Sequence, residues 1–136
     1  MDTQTFLNNI SELCSATLKS NTWYTLEDLE VSIYLRTTRR YLHSKKGFYL
    51  SIEVSSISVA ERSRGKGHLK KLLTEIKEIA RHSGRIVLVE SVLEERLQGY
   101  LERVGFLRDS DFECPNYFWI PVALEFYSTE EGGIAV

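Results

Sequence analysis

The feature that most constrains the fold is a change of hydrophobic period within residues 59–84. Apolar residues alternate with a period of two up to Val59, as in a half-buried β-strand. From Gly67 the spacing changes to three and four, as in an amphipathic helix, and Gly84 ends that helix. The helical stripe consists of Leu69, Leu72, Leu73, Ile76, Ile79 and Ala80. The apolar run at 85–90 then predicts a second strand, parallel to the first.

The loop between the strand and the helix has the composition of a phosphate-binding loop. It reads Arg62-Ser63-Arg64-Gly65-Lys66-Gly67. Glycine lets the backbone approach an anion closely, and a helix N-terminus offers unpaired N–H groups with about half a positive charge. Arg62, Arg64 and Lys66 are unfavourable at this helix end unless an anion binds there. The alternative is a solvent-exposed basic turn. Neither the GxxxxGK[ST] nor the GxGxxG nucleotide-binding pattern is present.

Composition narrows the class of protein. The chain has 136 residues, of which 43% are hydrophobic and 26% charged, as in one soluble globular domain. A net charge of −2 argues against a nucleic-acid-binding protein, and no apolar run is long enough to cross a membrane. The N-terminus has no signal-like stretch, and Cys14 and Cys114 have neither metal-site nor disulfide spacing. We therefore predict a cytoplasmic protein without a metal.

The remaining patterns complete a single domain covering residues 1–136. Its predicted parts are an N-terminal helical segment (1–22, with the helix over about 3–19, capped by Asp2 or Thr3), β-hairpin strands (29–59, with a turn at 43–47), the glycine loop and helix (62–84), a strand and a second helix (85–107), a strand near 117–120 and a flexible tail (129–136). The apolar positions change phase between Val54 and Ile57, which predicts a β-bulge there.

The glycine loop resembles the Q/R-x-x-G-x-G/A signature of the GCN5-related N-acetyltransferase (GNAT) superfamily. Arg62, Gly65 and Gly67 occupy the three defining positions of that signature. Val59 lies five residues before Arg64, as in the V-x-P-x-x-R-G-x-G run of the family, with Glu61 in place of the proline.

A second segment supports the same resemblance. Residues 101–106, LERVGF, look like the Y-E-x-x-G-F segment of the family, so that the likeness covers about residues 48–107. This stretch is also similar to small acetyltransferase-like proteins of phages and prophages. The N-terminal half looks one strand short of the usual meander, and Glu94 stands where the family often has asparagine.

The resemblance implies an α/β (α+β) fold, a central mixed and mostly antiparallel sheet with a splayed parallel strand pair, flanked by helices. It implies transfer of an acetyl group from acetyl-coenzyme A (acetyl-CoA) to a primary amine of a protein or small molecule, by direct attack in a ternary complex. The implied coenzyme-binding residues are Ile57, Val59, Arg62, Arg64, Gly65, Lys66, Gly67, His68 and Leu69. The Val59 N–H would also polarise the thioester carbonyl. We expect a monomer or homodimer.

The catalytic side chains depart from the family pattern. The family tyrosine, a general acid, corresponds to Leu101; Tyr100 is about 100° away around the helix and is the candidate acid, with a role in the core or at the rim as the alternative. Glu53 and Glu90 are candidate general bases or exposed strand residues, and burial would raise the pKa of Glu90. The alternative function is a non-catalytic acyl-CoA-binding or protein-interaction module on the same fold.

Overall fold

The computed structural model describes residues 1–109, 115–125 and 134–135, which contain both helices and strands. In chain order they are helix α1 (Thr3–Ser15), strands β1 (Ser20–Leu26), β2 (Val31–Leu42) and β3 (Gly47–Val59), helix α2 (His68–Ser83), strand β4 (Ile86–Val89), helix α3 (Glu95–Arg103), strands β5 (Leu107–Arg108) and β6 (Tyr117–Trp119), helix α4 (Val122–Glu125) and strand β7 (Ile134–Ala135). None of the described helices is long and apolar enough to cross a membrane.

The strands form one mixed sheet in the order β1-β2-β3-β4-β6-β5, and β7 pairs with β3. Strands β2 and β3 form the predicted antiparallel hairpin, which closes between Leu42 and Gly47. Strand β4 runs parallel to β3, as the apolar run at 85–90 predicts, and antiparallel to β6. The predicted fold class, a mixed and mostly antiparallel sheet flanked by helices, is confirmed.

Two apolar clusters cover the two faces of the sheet. The larger cluster joins α1 and α2 to one face, through residues such as Phe6, Ile10, Leu73 and Ile76. The smaller one lies on the other face around Tyr49, Leu88, Phe118 and Leu124. Burying large apolar side chains on both faces fixes the strand register, because a slip of one residue would exchange the faces.

Strand β1 corrects two predictions. Helix α1 is capped by Asp2 as predicted but ends at Ser15 rather than near residue 19, and Thr17 adopts a positive φ of 56° where the chain turns. The following residues form β1, antiparallel to β2, so the meander is not one strand short. Of this strand only Tyr24 and Leu26 are buried, so its apolar alternation is too short to be recognised.

A bulge in β3 separates it from β4. Tyr34 pairs with Ser56 but Leu35 pairs with Val54, so Ser55 is the extra residue and the predicted bulge is confirmed. The β3–β4 pairing ends where the Glu90 N–H donates to the Val54 carbonyl oxygen at 3.0 Å. Beyond that bond β3 continues to its end beside β2 alone, so the two parallel strands part.

The predictions for the C-terminal tail and for the two cysteines concern residues that lie partly outside the described ones. Of the predicted tail at 129–136, the described part is Ile134–Ala135, which forms β7 beside Phe48 and Tyr49. Cys14 is buried with a free thiol, and Cys114 lies outside the described residues.

Candidate functional site

A cleft of about 810 Å³ opens where β3 and β4 part. Its walls are the free edge of β3, the glycine loop, the first turn of α2 and one face of α3. All the predicted coenzyme-binding residues line this cleft except Arg62 and Lys66, and Tyr100 lines it as well. The structure therefore brings most of the predicted site together, although the two ends of the site are more than 40 positions apart in the sequence.

The end of β3 presents free backbone donors to the cleft. The Ala60 N–H donates to the Glu30 carbonyl oxygen at 3.0 Å, which fixes the hydrogen-bonding phase of β3 against β2. Because this direction alternates along an antiparallel strand, the N–H groups of Ile57 and Val59 point away from β2 and toward the parted edge. The carbonyl oxygen of Val59 accepts a hydrogen bond from Arg64 Nε at 3.0 Å. The strand edge can thus pair with an extended amide-containing ligand.

The glycine loop has the backbone of an anion cradle. Gly65 and Gly67 have φ angles of 76° and 77°, in the left-handed region where other residues are strained. A Cβ added at either glycine would meet no atom within 4 Å, so the space above the loop is open. Gly67 is the N-cap of α2 and no side chain caps this helix. The first N–H groups of α2 are therefore available to a ligand.

Cations surround this cradle. Arg64, Lys70, Arg96 and Arg103 line the cleft, and Glu94 is the one carboxylate among the described lining residues. Within the described part of the chain, neither Lys70 nor the two arginines of α3 form an ion pair. Unpaired cations at the positive end of a helix dipole favour an anionic ligand.

Arg96 and Arg103 were missed by the sequence prediction, although a signal for them exists. Together with Tyr100 they occupy positions i, i+4 and i+7 of α3, which share one helix face. That face reads as an ordinary polar surface until the parted strands place it opposite the glycine loop.

The structure corrects the expected role of Arg62. Its guanidinium forms an ion pair with Glu30, and its side chain is 82% exposed and does not line the cleft. Ser63 Oγ donates to the same carboxylate at 2.6 Å. These hydrogen bonds from Arg62 and Ser63 lower the pKa of Glu30 to about 2. Arg62 therefore fastens the loop to the turn between β1 and β2. Lys66 is exposed and also stands outside the cleft lining.

Tyr100 lies in the cleft, whereas Leu101 lies in the core. Leu101 is fully buried in the larger apolar cluster, and the half-buried Tyr100 faces the glycine loop across the cleft. Burial raises the pKa of the Tyr100 hydroxyl, and nearby Arg103 partly opposes that effect. The phenol therefore keeps its proton at neutral pH and can serve as a proton donor.

Glu53 is not brought to the cleft. It lies on the face of the sheet opposite Val54 and is 1% exposed. Arg40 binds both of its oxygens, with Nε–Oε2 at 3.0 Å and Nη2–Oε1 at 2.7 Å, and Ser51 Oγ donates to Oε2 at 2.9 Å. Arg36 Nη2 is 3.3 Å from Oε1. A carboxylate enclosed in this way is poorly placed to accept a proton from a bound amine.

Glu90 lies beside the bulge and is not among the residues that line the cleft. The expected rise in its pKa is wrong. Its Oε1 accepts a hydrogen bond from Ser55 Oγ at 2.8 Å and forms an ion pair with Arg36, and Arg40 is 3.4 Å from Oε2. Burial acts to raise the pKa of Glu90, but the Ser55 and Arg36 hydrogen bonds and the two positive charges outweigh it and lower the pKa. The sequence argument considered the burial of Glu90 without these partners, which are far from it in the sequence.

Comparisons with known proteins show the fold. No family model and no curated protein matches the sequence. An acetyltransferase of Bacillus subtilis, solved in complex with CoA, is 13% identical, with a TM-score of 0.52 over 85% of this chain and 84% of that one. An acetyltransferase of Bacillus cereus is 16% identical, with a TM-score of 0.46 over 87% and 89%. The chain therefore shares its fold with the Bacillus subtilis acetyltransferase.

Proposed function

We propose that this protein is an acetyl-CoA-dependent N-acetyltransferase that acetylates a primary amine of a protein or small molecule by direct attack in a ternary complex. The observation that carries the proposal is the cleft itself, where a free strand edge, an uncapped helix start behind two left-handed glycines, and unpaired cations meet. The similar Bacillus subtilis acetyltransferase, whose structure contains CoA, supports the choice of ligand.

The cleft residues fit the chemical groups of coenzyme A. The N–H groups from Gly65 to Leu69 and the side chains of Arg64 and Lys70 suit a diphosphate. The N–H groups of Ile57 and Val59 suit the amides of the pantetheine arm. When bound, acetyl-CoA supplies the activated acyl group as a thioester.

Three residues would then act on the reacting atoms. The Val59 N–H would donate to the acyl oxygen, where negative charge develops, and such a donor is worth about 3 kcal/mol. Tyr100 would hold the proton that a departing thiolate needs. Glu90, ionised and beside the parting of the strands, would accept a proton from the amine directly or through water. Glu53 would support this carboxylate through the arginines they share.

A non-catalytic acyl-CoA-binding or interaction module is the second candidate. Two observations favour it: the position of the family tyrosine holds the core residue Leu101, and both candidate bases are paired with arginine. The enzyme and the acyl-CoA-binding module share coenzyme binding and differ in turnover, whereas an interaction module would show neither.

Two measurements test these functions in sequence. Calorimetric titration with CoA and acetyl-CoA tests binding, and Lys70→Ala with Arg103→Ala should weaken it, while Lys71→Ala on the same helix serves as the control. Release of free thiol in the presence of protein N-termini, lysine peptides, polyamines and aminoglycosides then tests catalysis. Binding without thiol release for any amine supports an acyl-CoA-binding module. No binding of either coenzyme form refutes the enzyme and the acyl-CoA-binding module and leaves the interaction module.

A further inference from the structure

A second cationic cavity lies at the other end of the sheet. It has a volume of about 520 Å³ and is lined by Thr17, Leu18, Lys19, Thr38, Arg39, Leu50 and Arg85. We call it the basal cavity. Leu50 is seven positions before Ile57 on β3, so the basal cavity lies roughly 20 Å from the cleft. It therefore does not depend on the proposed function.

Arg85 is a buried charge that has no counter-ion among the described residues. It is 1% exposed, and none of the described carboxylates lies within ion-pair distance of its guanidinium. Its Nη1 donates to the carbonyl oxygens of Ser51 at 3.0 Å and Thr38 at 3.4 Å. Its Nε is buried and has no hydrogen-bond acceptor in the part of the chain that the structure describes. Carbonyl dipoles leave the net positive charge uncompensated, and an uncompensated buried charge is costly.

The Cys14 thiol does not supply the missing negative charge. The thiol of Cys14 is close enough to sense Arg85, but burial raises its pKa, with Arg85 and Ser83 only partly opposing that effect. The thiol is therefore neutral at physiological pH and leaves Arg85 unpaired.

The other polar groups that line the basal cavity also favour an anionic ligand. Lys19 and Arg39 add two positive charges, and no carboxylate occurs among the described lining residues. The Arg39 guanidinium lies 4.4 Å from the centroid of the Phe48 ring, which restricts its position. Thr17 also lines the cavity and offers a hydroxyl donor, whereas the Thr38 side chain lies on the opposite face of β2 from Arg39. Three cations, a hydroxyl and an unused buried N–H around one cavity match the requirements of an oxyanion.

We propose that the basal cavity binds a phosphate-sized oxyanion, with Arg85 as its buried anchor and Lys19 and Arg39 as its exposed clamps. The bound anion would neutralise Arg85 and accept the Nε hydrogen bond. Since Arg85 lies directly before β4 and contacts β2 and β3 through carbonyl oxygens, anion binding would stabilise the centre of the sheet.

Thermal unfolding in inorganic phosphate, with chloride at equal ionic strength as the reference, tests this proposal. We use the Lys70→Ala, Arg103→Ala protein as the background, because phosphate could also bind the glycine loop. Phosphate should raise the melting temperature of this background protein. Adding Lys19→Ala and Arg39→Ala, both at exposed positions, should weaken the apparent phosphate affinity about tenfold or more. Lys45→Ala and Lys46→Ala, at the hairpin turn, are the matched control and should leave the affinity unchanged.

Arg85→Met separates an anion site from a purely structural arginine. If the basal cavity binds an anion, Arg85→Met should abolish the response of the melting temperature to phosphate. In chloride alone, the melting temperature of the Arg85→Met protein should be no more than slightly below that of the background protein. The proposal is overturned if phosphate does not raise the melting temperature of the background protein. It is also overturned if the response to phosphate persists after Lys19→Ala and Arg39→Ala. Comparing inorganic phosphate with phenyl phosphate then shows whether the cavity takes the free ion or a phosphomonoester.

Discussion

Tyr100 and Leu101 are neighbours on α3 that face different environments: Tyr100 lines the cleft, and Leu101 is fully buried in the core. The position that aligns with the family tyrosine is therefore used for packing, and the phenol enters the cleft from the adjacent position. If Tyr100 is the proton donor, removing its hydroxyl should affect turnover far more than binding, because the ring keeps its contacts.

We therefore expect Tyr100→Phe to lower kcat about a hundredfold, the lower end of the range for general acid catalysis, with little change in the Kd of acetyl-CoA. Thiol release and calorimetry measure the two effects. Tyr41→Phe, which removes a hydroxyl from a half-buried tyrosine outside the cleft lining, should change neither value. An unchanged kcat for Tyr100→Phe would show that the proton comes from elsewhere.

The glycine loop can be tested against a glycine of the same backbone conformation. Gly65 has φ of 76° beside the cleft, and Gly84 has φ of 68° at the C-terminus of α2. Replacing either by alanine should cost about 1–2 kcal/mol in the free energy of unfolding, because both are left-handed. Only Gly65→Ala should also weaken CoA binding, since its Cβ would project into the open space above the loop.

Urea denaturation and calorimetry of both variants separate strain from binding. We expect an affinity loss of about tenfold for Gly65→Ala and none for Gly84→Ala. Equal losses in the two variants would mean that the affinity falls through general destabilisation, and the anion cradle would then lose its support.

Much of this fold could be predicted because the informative contacts are local. The change from period two to helical period and the phase slip around Ser55 both depend on neighbouring residues, and both predicted the structure correctly. Strand β1 could not be recognised, since only Tyr24 and Leu26 of its residues are buried, in the cluster beneath α1, and two positions make no clear alternation.

The ion-pair partners of individual charged residues could not be predicted, because these partners are far away in the sequence. The role of Arg62 depends on Glu30, which is 32 positions away, and the pKa of Glu90 depends on Arg36, which is 54 positions away. A spacing motif places a residue near a loop, but the direction of its side chain follows from the sheet that forms around it.

The Glu30 carboxylate gives the loop a pH dependence. Its pKa is lowered from 4.5 to about 2, mainly by hydrogen bonds from Arg62 and then Ser63. A carboxyl with a lowered folded-state pKa contributes stability that is complete above its unfolded pKa and is lost as the pH falls through the folded one. Wild type should therefore lose more stability than Glu30→Gln between about pH 5 and pH 2.

Urea denaturation across this pH range measures the difference between the two proteins. The advantage of wild type over Glu30→Gln should be greatest at neutral pH and should shrink as the pH falls. CoA affinity at neutral pH should also be lower in Glu30→Gln, because the loop loses its attachment to the β1–β2 turn. A stability difference that stays constant with pH would show that the ion pair with Arg62 does not form in solution.

The last prediction concerns the buried charges beneath the parted strands. Glu53 is 1% exposed and depends mainly on Arg40, which is about a third exposed. Arg40→Met should cost about 3 kcal/mol, because it leaves the buried carboxylate with the Ser51 hydrogen bond and a 3.3 Å contact to Arg36 as its described polar partners. The double variant Arg40→Met, Glu53→Leu removes both charges, leaves the Arg36–Glu90 ion pair balanced and should recover most of that loss.

Urea denaturation of wild type, both single variants (Arg40→Met and Glu53→Leu) and the double variant gives the coupling energy of the Arg40–Glu53 pair. Arg81→Met is the control, since it breaks an exposed ion pair with Glu78 within α2 and should cost less than about 0.5 kcal/mol. A cost for Arg40→Met no greater than that of the control would contradict the burial of Glu53. If the double variant recovers stability but not thiol release, packing alone has been restored. That result would assign the carboxylate cluster a role in catalysis.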